Sequence, residues 1–327
     1  MGSMPNRVAT PVVHRLPGLV VTERVHAVPL DHVRPAGPSI DVFTREVAAI
    51  GGEERPYLVF LQGGPGYEAT RPAVPPSGWM ARALRDYRVL LLDQRGTGRS
   101  TPIGRTPPGE TPEAQADYLA HFRADAIVRD AEAVRRELGV ERWSVLGQSF
   151  GGFTAMSYLS LAPEGLSEAF ITGGLSPVGR PVDEVYAATY RRTAEKNRAY
   201  FERYPGDRQR LRELERRLAG EEVHLPSGDR LTVRRLRQVG LALGMSTGFE
   251  EIHHLLELPF ESPAFLHDVE RAVGFARNPI YATLHEACYA DGGSTAWSAA
   301  RLLPAEFEAE GWLTAEHVFP WMWDEYG

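Results

Sequence analysis

Short apolar runs separated by glycine-rich turns dominate the first half of the chain. Gly18 to Val28 and Ile40 to Ala49 read as strands, the second with apolar residues at alternate positions. Tyr57-Leu58-Val59-Phe60-Leu61 is apolar throughout and stops at Gly63-Gly64-Pro65-Gly66. Tyr87-Arg88-Val89-Leu90-Leu91-Leu92 is a similar run and stops at Asp93-Gln94-Arg95-Gly96. Ala114 to Leu138 carries an apolar stripe at helical spacing and closes on Gly139, which predicts one helix. Trp143-Ser144-Val145-Leu146 follows as a strand, Gly151 to Leu161 as a helix, and Ala169 to Thr172 as one further strand. Strands with no polar face must be covered on both sides. Joined through helices, they predict a mostly parallel sheet with helices on both faces.

The pattern changes after Leu175. From Pro181 to about Ala300 there is almost no β-run, and helical spacing with dense charge takes over. Arginine-rich stretches such as Arg191-Arg192 and Arg208 to Leu218 read as solvated helix faces. This divides the chain into an α/β core over residues 4–178, an inserted all-helical cap over 179–305, and a segment 306–327 that starts back towards the core. Met1-Gly2-Ser3, ahead of Met4, reads as a remnant of expression and not as part of the fold.

Composition narrows the function. The 327 residues carry a net charge of −7, so no basic surplus points to nucleic acid or an anionic membrane surface. No apolar stretch approaches the roughly 18 residues that a membrane span needs, and no apolar signal-peptide core appears near the start. Cys288 is the single cysteine, which excludes an internal disulfide and fits a reducing, cytoplasmic setting. The adjacent pair His253-His254 does not suggest a metal site: neighbouring helical residues point in different directions, and no ligand cluster joins them.

Gly147-Gln148-Ser149-Phe150-Gly151 carries the chemistry. The G-x-S-x-G frame between a strand and a helix is a nucleophile elbow, a turn so tight that the serine hydroxyl stands above the sheet edge. The helix that follows aims its N-terminal N–H groups at developing negative charge. Ser149 is therefore the candidate nucleophile of an acyl-transfer reaction. Gln62-Gly63-Gly64-Pro65-Gly66 lies at the end of another strand, where glycine backbone can approach a substrate oxygen. The Gly64 and Phe150 amides are candidate oxyanion donors, with Gly63 lining the substrate side, an effect worth about 3–4 kcal/mol per donor. Asp93 to Ser100 holds a third strand end, where Asp93 and Arg95 pin loops through charge-assisted hydrogen bonds.

These three motifs together resemble the proline iminopeptidase family of α/β-hydrolases: Gly63-Gly64-Pro65-Gly66, Asp93 to Ser100, and Gly147 to Gly152. The resemblance runs from about residue 20 into the cap. It implies hydrolysis of N-terminal proline from peptides without a cofactor or metal. The family pattern has histidine before the two glycines where this chain has Gln62, a departure that resembles larger-type members. Leu284-His285-Glu286-Ala287-Cys288-Tyr289 is similar to the family segment whose glutamate binds the substrate's free imino terminus, which makes Glu286 a candidate substrate ligand. A second cap carboxylate is implied, with Glu250, Glu251 and Glu257 as the alternatives. Other esterase or amide-hydrolase chemistry on the same fold fits the first half of the chain equally, and a non-catalytic remnant that binds peptides or a partner is the alternative if no base follows the cap.

Hydrolases of this fold supply their triad in the order serine, acid, histidine. After the cap come Trp312 to Gly327, including His317-Val318-Phe319-Pro320-Trp321-Met322, with no further apolar strand. The expectation is that the last strands, with the triad acid and histidine, fall beyond residue 327, leaving Ala169 to Thr172 as a bare sheet edge. The alternative base pairs His317 or His285 with Asp291 or Asp324. Oligomeric state is open.

Overall fold

The computed structural model describes residues 10–325; Met1-Gly2-Ser3 lies outside them. The chain forms two compact units. The first takes the residues up to Ser176 together with Asn278–Cys288, and the second takes Pro177–Arg277 together with residues 289–325.

Among the described residues the first unit contains a seven-stranded sheet: β1 (Val12–Leu16), β2 (Leu19–Pro29), β3 (Ser39–Ala49), β4 (Tyr57–Leu61), β5 (Arg88–Leu92), β6 (Trp143–Gln148) and β7 (Leu166–Thr172). The spatial order is β1-β2-β3-β5-β4-β6-β7. Neighbours from β1 to β5 run antiparallel, and those from β5 through β4 and β6 to β7 run parallel. Alternation along β4 shows why the central strands are apolar throughout. Val59 and Leu61 face one core with Leu90, Leu92 and Val145, closed by Ile127, Ala131 and Val134 of α3 (Ala124–Glu137) and Ala155 and Tyr158 of α4 (Phe150–Leu161). Leu58 and Phe60 face the opposite core with Val89 and Leu91, closed by Met80 and Ala83 of α1 (Gly78–Ala83). Both faces are thus buried under helices.

Two elements depart from the sequence expectation. β1 was not foreseen because four of its five residues are exposed, so no buried face marks it. The single helix expected from Ala114 to Leu138 is two, α2 (Pro112–Ala120) and α3. At the break, Phe122 is buried in the core and the His121 carbonyl accepts from Arg95 Nη1 at 2.7 Å. That carbonyl has left the helical ladder to satisfy a buried guanidinium. Among the described residues β7 ends the sheet and pairs with β6 alone; its Phe170 is exposed.

The second unit is helical: α5 (Val182–Arg203), α6 (Asp207–Gly220), α7 (Val233–Arg237), α8 (Gly248–Glu257) and α9 (Pro263–Val273), with one hairpin of two-residue strands at Val223–His224 and Arg230–Leu231. Leu211, Leu214 and Leu218 of α6 meet Ile252 and Leu255 of α8 and Phe265 and Val269 of α9 in its core. The charged stretch Arg208 to Leu218 is not solvated throughout, because Glu215 is buried and accepts from Arg237 Nε at 2.7 Å and from the Gly311 amide at 2.7 Å. Residues 306–325, expected to lead back towards the core, group with this second unit.

Candidate active site

Register brings the three motifs to one edge. β5, β4 and β6 are adjacent and parallel, and Leu61 pairs with Gly147 while Gln148 pairs with Thr172. The loops beginning at Gln62, Asp93 and Ser149 therefore leave the same carboxyl edge, where open α/β sheets bind ligands.

Ser149 sits at φ 54° and ψ −122°, a backbone conformation that costs a non-glycine residue energy and persists only where the surroundings enforce it. The surroundings are visible. The Ser149 amide donates to the Thr172 carbonyl at 3.0 Å, and the Gly152 amide donates to the Ser149 carbonyl at 2.8 Å. A Cβ at Gly147 would collide with the Gly151 carbonyl, and one at Gly151 with the Leu61 carbonyl of β4. The strand-to-helix turn closes only because both side chains are missing. Ser149 is exposed, so its hydroxyl is presented to solvent.

The 62–66 loop abuts the serine. A Cβ at Gly63 would lie 3.0 Å from Ser149 Cβ and 3.6 Å from its Oγ. Gly64 is at φ 135°. Among the described residues neither the Gly64 nor the Phe150 N–H donates to a protein acceptor, so both remain available to an anion. Gln62 holds the loop through its carbonyl, which accepts from Gln94 Nε2 at 2.6 Å, while its own Oε1 is buried with no hydrogen-bond partner among the described residues.

Asp93 and Arg95 are structural. The Asp93 carboxylate accepts from the Ala69 amide at 3.1 Å and the Arg99 amide at 3.0 Å, tying the loop after β4 to the loop after β5. Burial pushes the Asp93 carboxyl above the usual range, against those two amides, which act to lower it. Arg95 is fully buried and grips Asp130 through two bonds, Nε to Oδ2 at 2.6 Å and Nη2 to Oδ1 at 2.5 Å. It also donates to the Leu30, His121 and Pro29 carbonyls.

Glu286 belongs to the same unit as Ser149. It is buried, just past the helix Pro279–His285. That helix docks on the loop after β4: a Cβ at Gly66 would come within 2.5 Å of Ile280 Cγ2 and 2.6 Å of the Tyr281 amide. Asn278 Nδ2 donates to the Gly66 carbonyl at 3.0 Å and to Glu68 Oε2 at 3.2 Å. Sequence reasoning missed Asn278; a lone asparagine before a proline looks like ordinary turn chemistry.

Among the described residues no histidine hydrogen-bonds the Ser149 hydroxyl. His317, weighed as a base, is buried in the second unit, where its Nε2 meets Thr189 Oγ1 at 3.0 Å, its Nδ1 accepts from the Ala315 amide, and its ring stacks on Tyr190. His285 is buried in the first unit with its ring against Tyr281. Asp291 and Asp324 are exposed. Each alternative for the second cap carboxylate has a local partner: Glu250 pairs with Arg203 of α5, Glu251 accepts from Oγ1 of Thr247 just before α8, and Glu257 faces His253 and His254. This last contact revises the reading of the adjacent histidines, whose ligand atoms lie with those of Glu257 within 4.8 Å of one another.

The chain is similar in sequence to known proteins. A family model described as alpha/beta hydrolase fold matches residues 56–268. A proline iminopeptidase of Aeromonas sobria is 46% identical over 97% of this chain and 78% of its own length. The chain belongs to the proline iminopeptidase family of α/β-hydrolases. A second relative, a proline iminopeptidase of Aspergillus aculeatus, is 35% identical over 91% of this chain and 72% of its own. Among solved structures, a proline iminopeptidase-related protein of Thermus thermophilus shares 25% identity over 53% of this chain and 50% of its own, with a TM-score of 0.34, a match too loose to add to the assignment. Among the described residues of this family member, no helix is long and apolar enough to cross a membrane.

Proposed function

We propose that the protein releases N-terminal proline from peptides through an acyl-enzyme on Ser149. The observation that carries this reading is the serine held at φ 54° with the Gly63 backbone against it, together with relatives named as proline iminopeptidases. Ser149 Oγ attacks the carbonyl carbon of the N-terminal proline. The Gly64 and Phe150 amides donate to the oxyanion, each worth about 3–4 kcal/mol. The serine proton passes to the departing amine nitrogen as the C–N bond breaks, and water then cleaves the prolyl ester, one of its protons returning to Ser149 Oγ as free proline leaves. Glu286 binds the protonated imino terminus; a buried carboxylate is the natural partner for a cation that must leave water. No cofactor or metal enters these steps. A reducing, cytoplasmic setting is part of the same reading, from the single Cys288.

The test compares prolyl p-nitroanilide with its N-acetylated form, on the protein and on its Ser149→Ala and Glu286→Gln variants. Turnover of the free substrate alone, lost in Ser149→Ala and shifted to higher KM in Glu286→Gln, supports the reading. Equal turnover of the blocked substrate favours a general amide hydrolase or esterase. A second reading, peptide binding without turnover, is favoured by the lack of a hydrogen-bonded histidine on Ser149 among the described residues, since a serine hydroxyl without a base is a weak nucleophile. Saturable binding of a prolyl peptide with no product would support that one.

A further inference from the structure

We propose that the second unit carries a divalent transition-metal site of the zinc class at the C-terminal end of α8, built from His253, His254 and Glu257.

The three side chains converge although two are adjacent in sequence. Glu257 lies four residues beyond His253 and three beyond His254, so its carboxylate reaches both rings across one helical turn. His253 Nε2 is 3.4 Å from Glu257 Oε1, and His254 Nδ1 is 3.2 Å from Glu257 Oε2. Metal–nitrogen and metal–oxygen bonds of about 2.0–2.1 Å set tetrahedral donors about 3.3–3.4 Å apart, and each ring already stands at about that distance from one of the two Glu257 oxygens. The two ring nitrogens lie within 4.8 Å of each other, and His254 is exposed, so its ring can rotate to close the remaining gap.

A second carboxylate fixes the site from behind. His253 Nδ1 lies 2.8 Å from Oδ2 of Asp207, a buried residue at the start of α6 that also accepts from Tyr200 and pairs with Arg210. An N–H at Nδ1 donated to Asp207 leaves the lone pair on Nε2, the atom that faces Glu257. Carboxylate, histidine and metal in series is the arrangement that orients an imidazole ligand and raises its basicity. Tyr204 stacks on the same ring with centroids 3.9 Å apart, limiting its rotation. The carbonyls at the end of α8 add negative potential, which favours a cation.

The donor set selects the metal. Two imidazoles and one carboxylate suit Zn²⁺, Ni²⁺, Co²⁺ or Cu²⁺ and are a poor match for Mg²⁺ or Ca²⁺, which prefer all-oxygen shells. Three protein donors leave a fourth position to water. Because Asp207 starts α6 and the ligands end α8, an ion here links two helices, and occupancy stabilises the unit.

The test is calorimetric titration of the full chain with ZnCl₂, beside His254→Ala and Glu257→Gln. His254 is exposed and outside the proposed catalytic machinery, so its removal leaves the fold intact. The expected result is one Zn²⁺ per chain, at least tenfold weaker in each variant, with a Zn²⁺-dependent rise in Tm that His254→Ala removes and that MgCl₂ does not reproduce. X-ray absorption of the zinc-loaded protein should show a nitrogen and oxygen shell without sulfur. No saturable binding, equal affinity in the variants, or a sulfur shell placing the ion on Cys288 overturns the proposal.

Discussion

The two units hold irregular backbone by different means. In the first, the loops after β4, β5 and β6 are fixed by close backbone approach at Gly147 and Gly151 and by buried charge: Asp93 takes two amides, and Arg95 takes Asp130 with three carbonyls. In the second, residues 307–314 form little regular structure and are clamped by side chains from neighbouring helices. Asn197 of α5 donates to the Leu313 carbonyl and accepts from its amide, at 2.9 and 3.0 Å. Gln238 donates to Thr314 Oγ1, Glu215 accepts from the Gly311 amide, and Arg237 donates to the Phe307 and Ala309 carbonyls. Loops locked by glycine and buried charge can hold a reactive group in a strained conformation. A segment clamped largely through side-chain hydrogen bonds to its backbone gains order without strain. The first arrangement is the one suited to chemistry.

The contrast has measurable consequences. Asp130→Ala leaves the Arg95 guanidinium buried and unpaired, and should lower unfolding free energy by about 3–5 kcal/mol in denaturant titration. Asn197→Ala strands one amide and one carbonyl, and should cost about 2–3 kcal/mol in the same assay. If the Asn197 clamp proves as costly as the Arg95–Asp130 pair, the distinction drawn between the units fails. Gly63→Ala places a methyl 3.0 Å from Ser149 Cβ, forcing a small shift of the 62–66 loop. It should reduce kcat/KM about tenfold with little change in stability, since misplacement by a fraction of an ångström is felt mainly in the transition state. Wild-type kcat/KM would show that the loop has slack.

The smallest effect is a pH dependence in the first unit. Burial alone pushes the Glu132 carboxyl up, but the Arg135 guanidinium and the Tyr158 hydroxyl outweigh it and hold the group below its usual 4.5. A carboxyl whose folded pKa is depressed contributes stability above its unfolded value, and that contribution disappears as pH falls through the folded one. The stability gap between the protein and Glu132→Gln should therefore be widest near neutrality and shrink as pH drops below about 4.5. A gap that widens on acidification would reverse the sign of the argument.

What could be read in the sequence follows the same division. β4 matches the apolar run Tyr57 to Leu61 residue for residue, because a strand buried on both faces leaves no polar position to blur its ends. The elbow was legible because its glycines answer to backbone contacts that no other residue permits. β1 was not, since an exposed edge strand has no apolar face to betray it. The break between α2 and α3 was hidden because its cause, Arg95 needing the His121 carbonyl, is remote in sequence. In the helical unit, Glu215 sits inside a stretch that read as a solvated face, and only tertiary packing shows that it is buried. The convergence of His253, His254 and Glu257 was missed because adjacency was weighed without the residue one turn on.

Hydrolysis of prolyl p-nitroanilide by the purified chain, measured beside Ser149→Ala at equal concentration and confirmed fold, tests the central claim most directly. The expected result is turnover that falls at least about 1000-fold in the variant, the scale on which loss of a serine nucleophile acts. Equal rates in the two proteins, zero included, would contradict Ser149 as the working nucleophile of this chain.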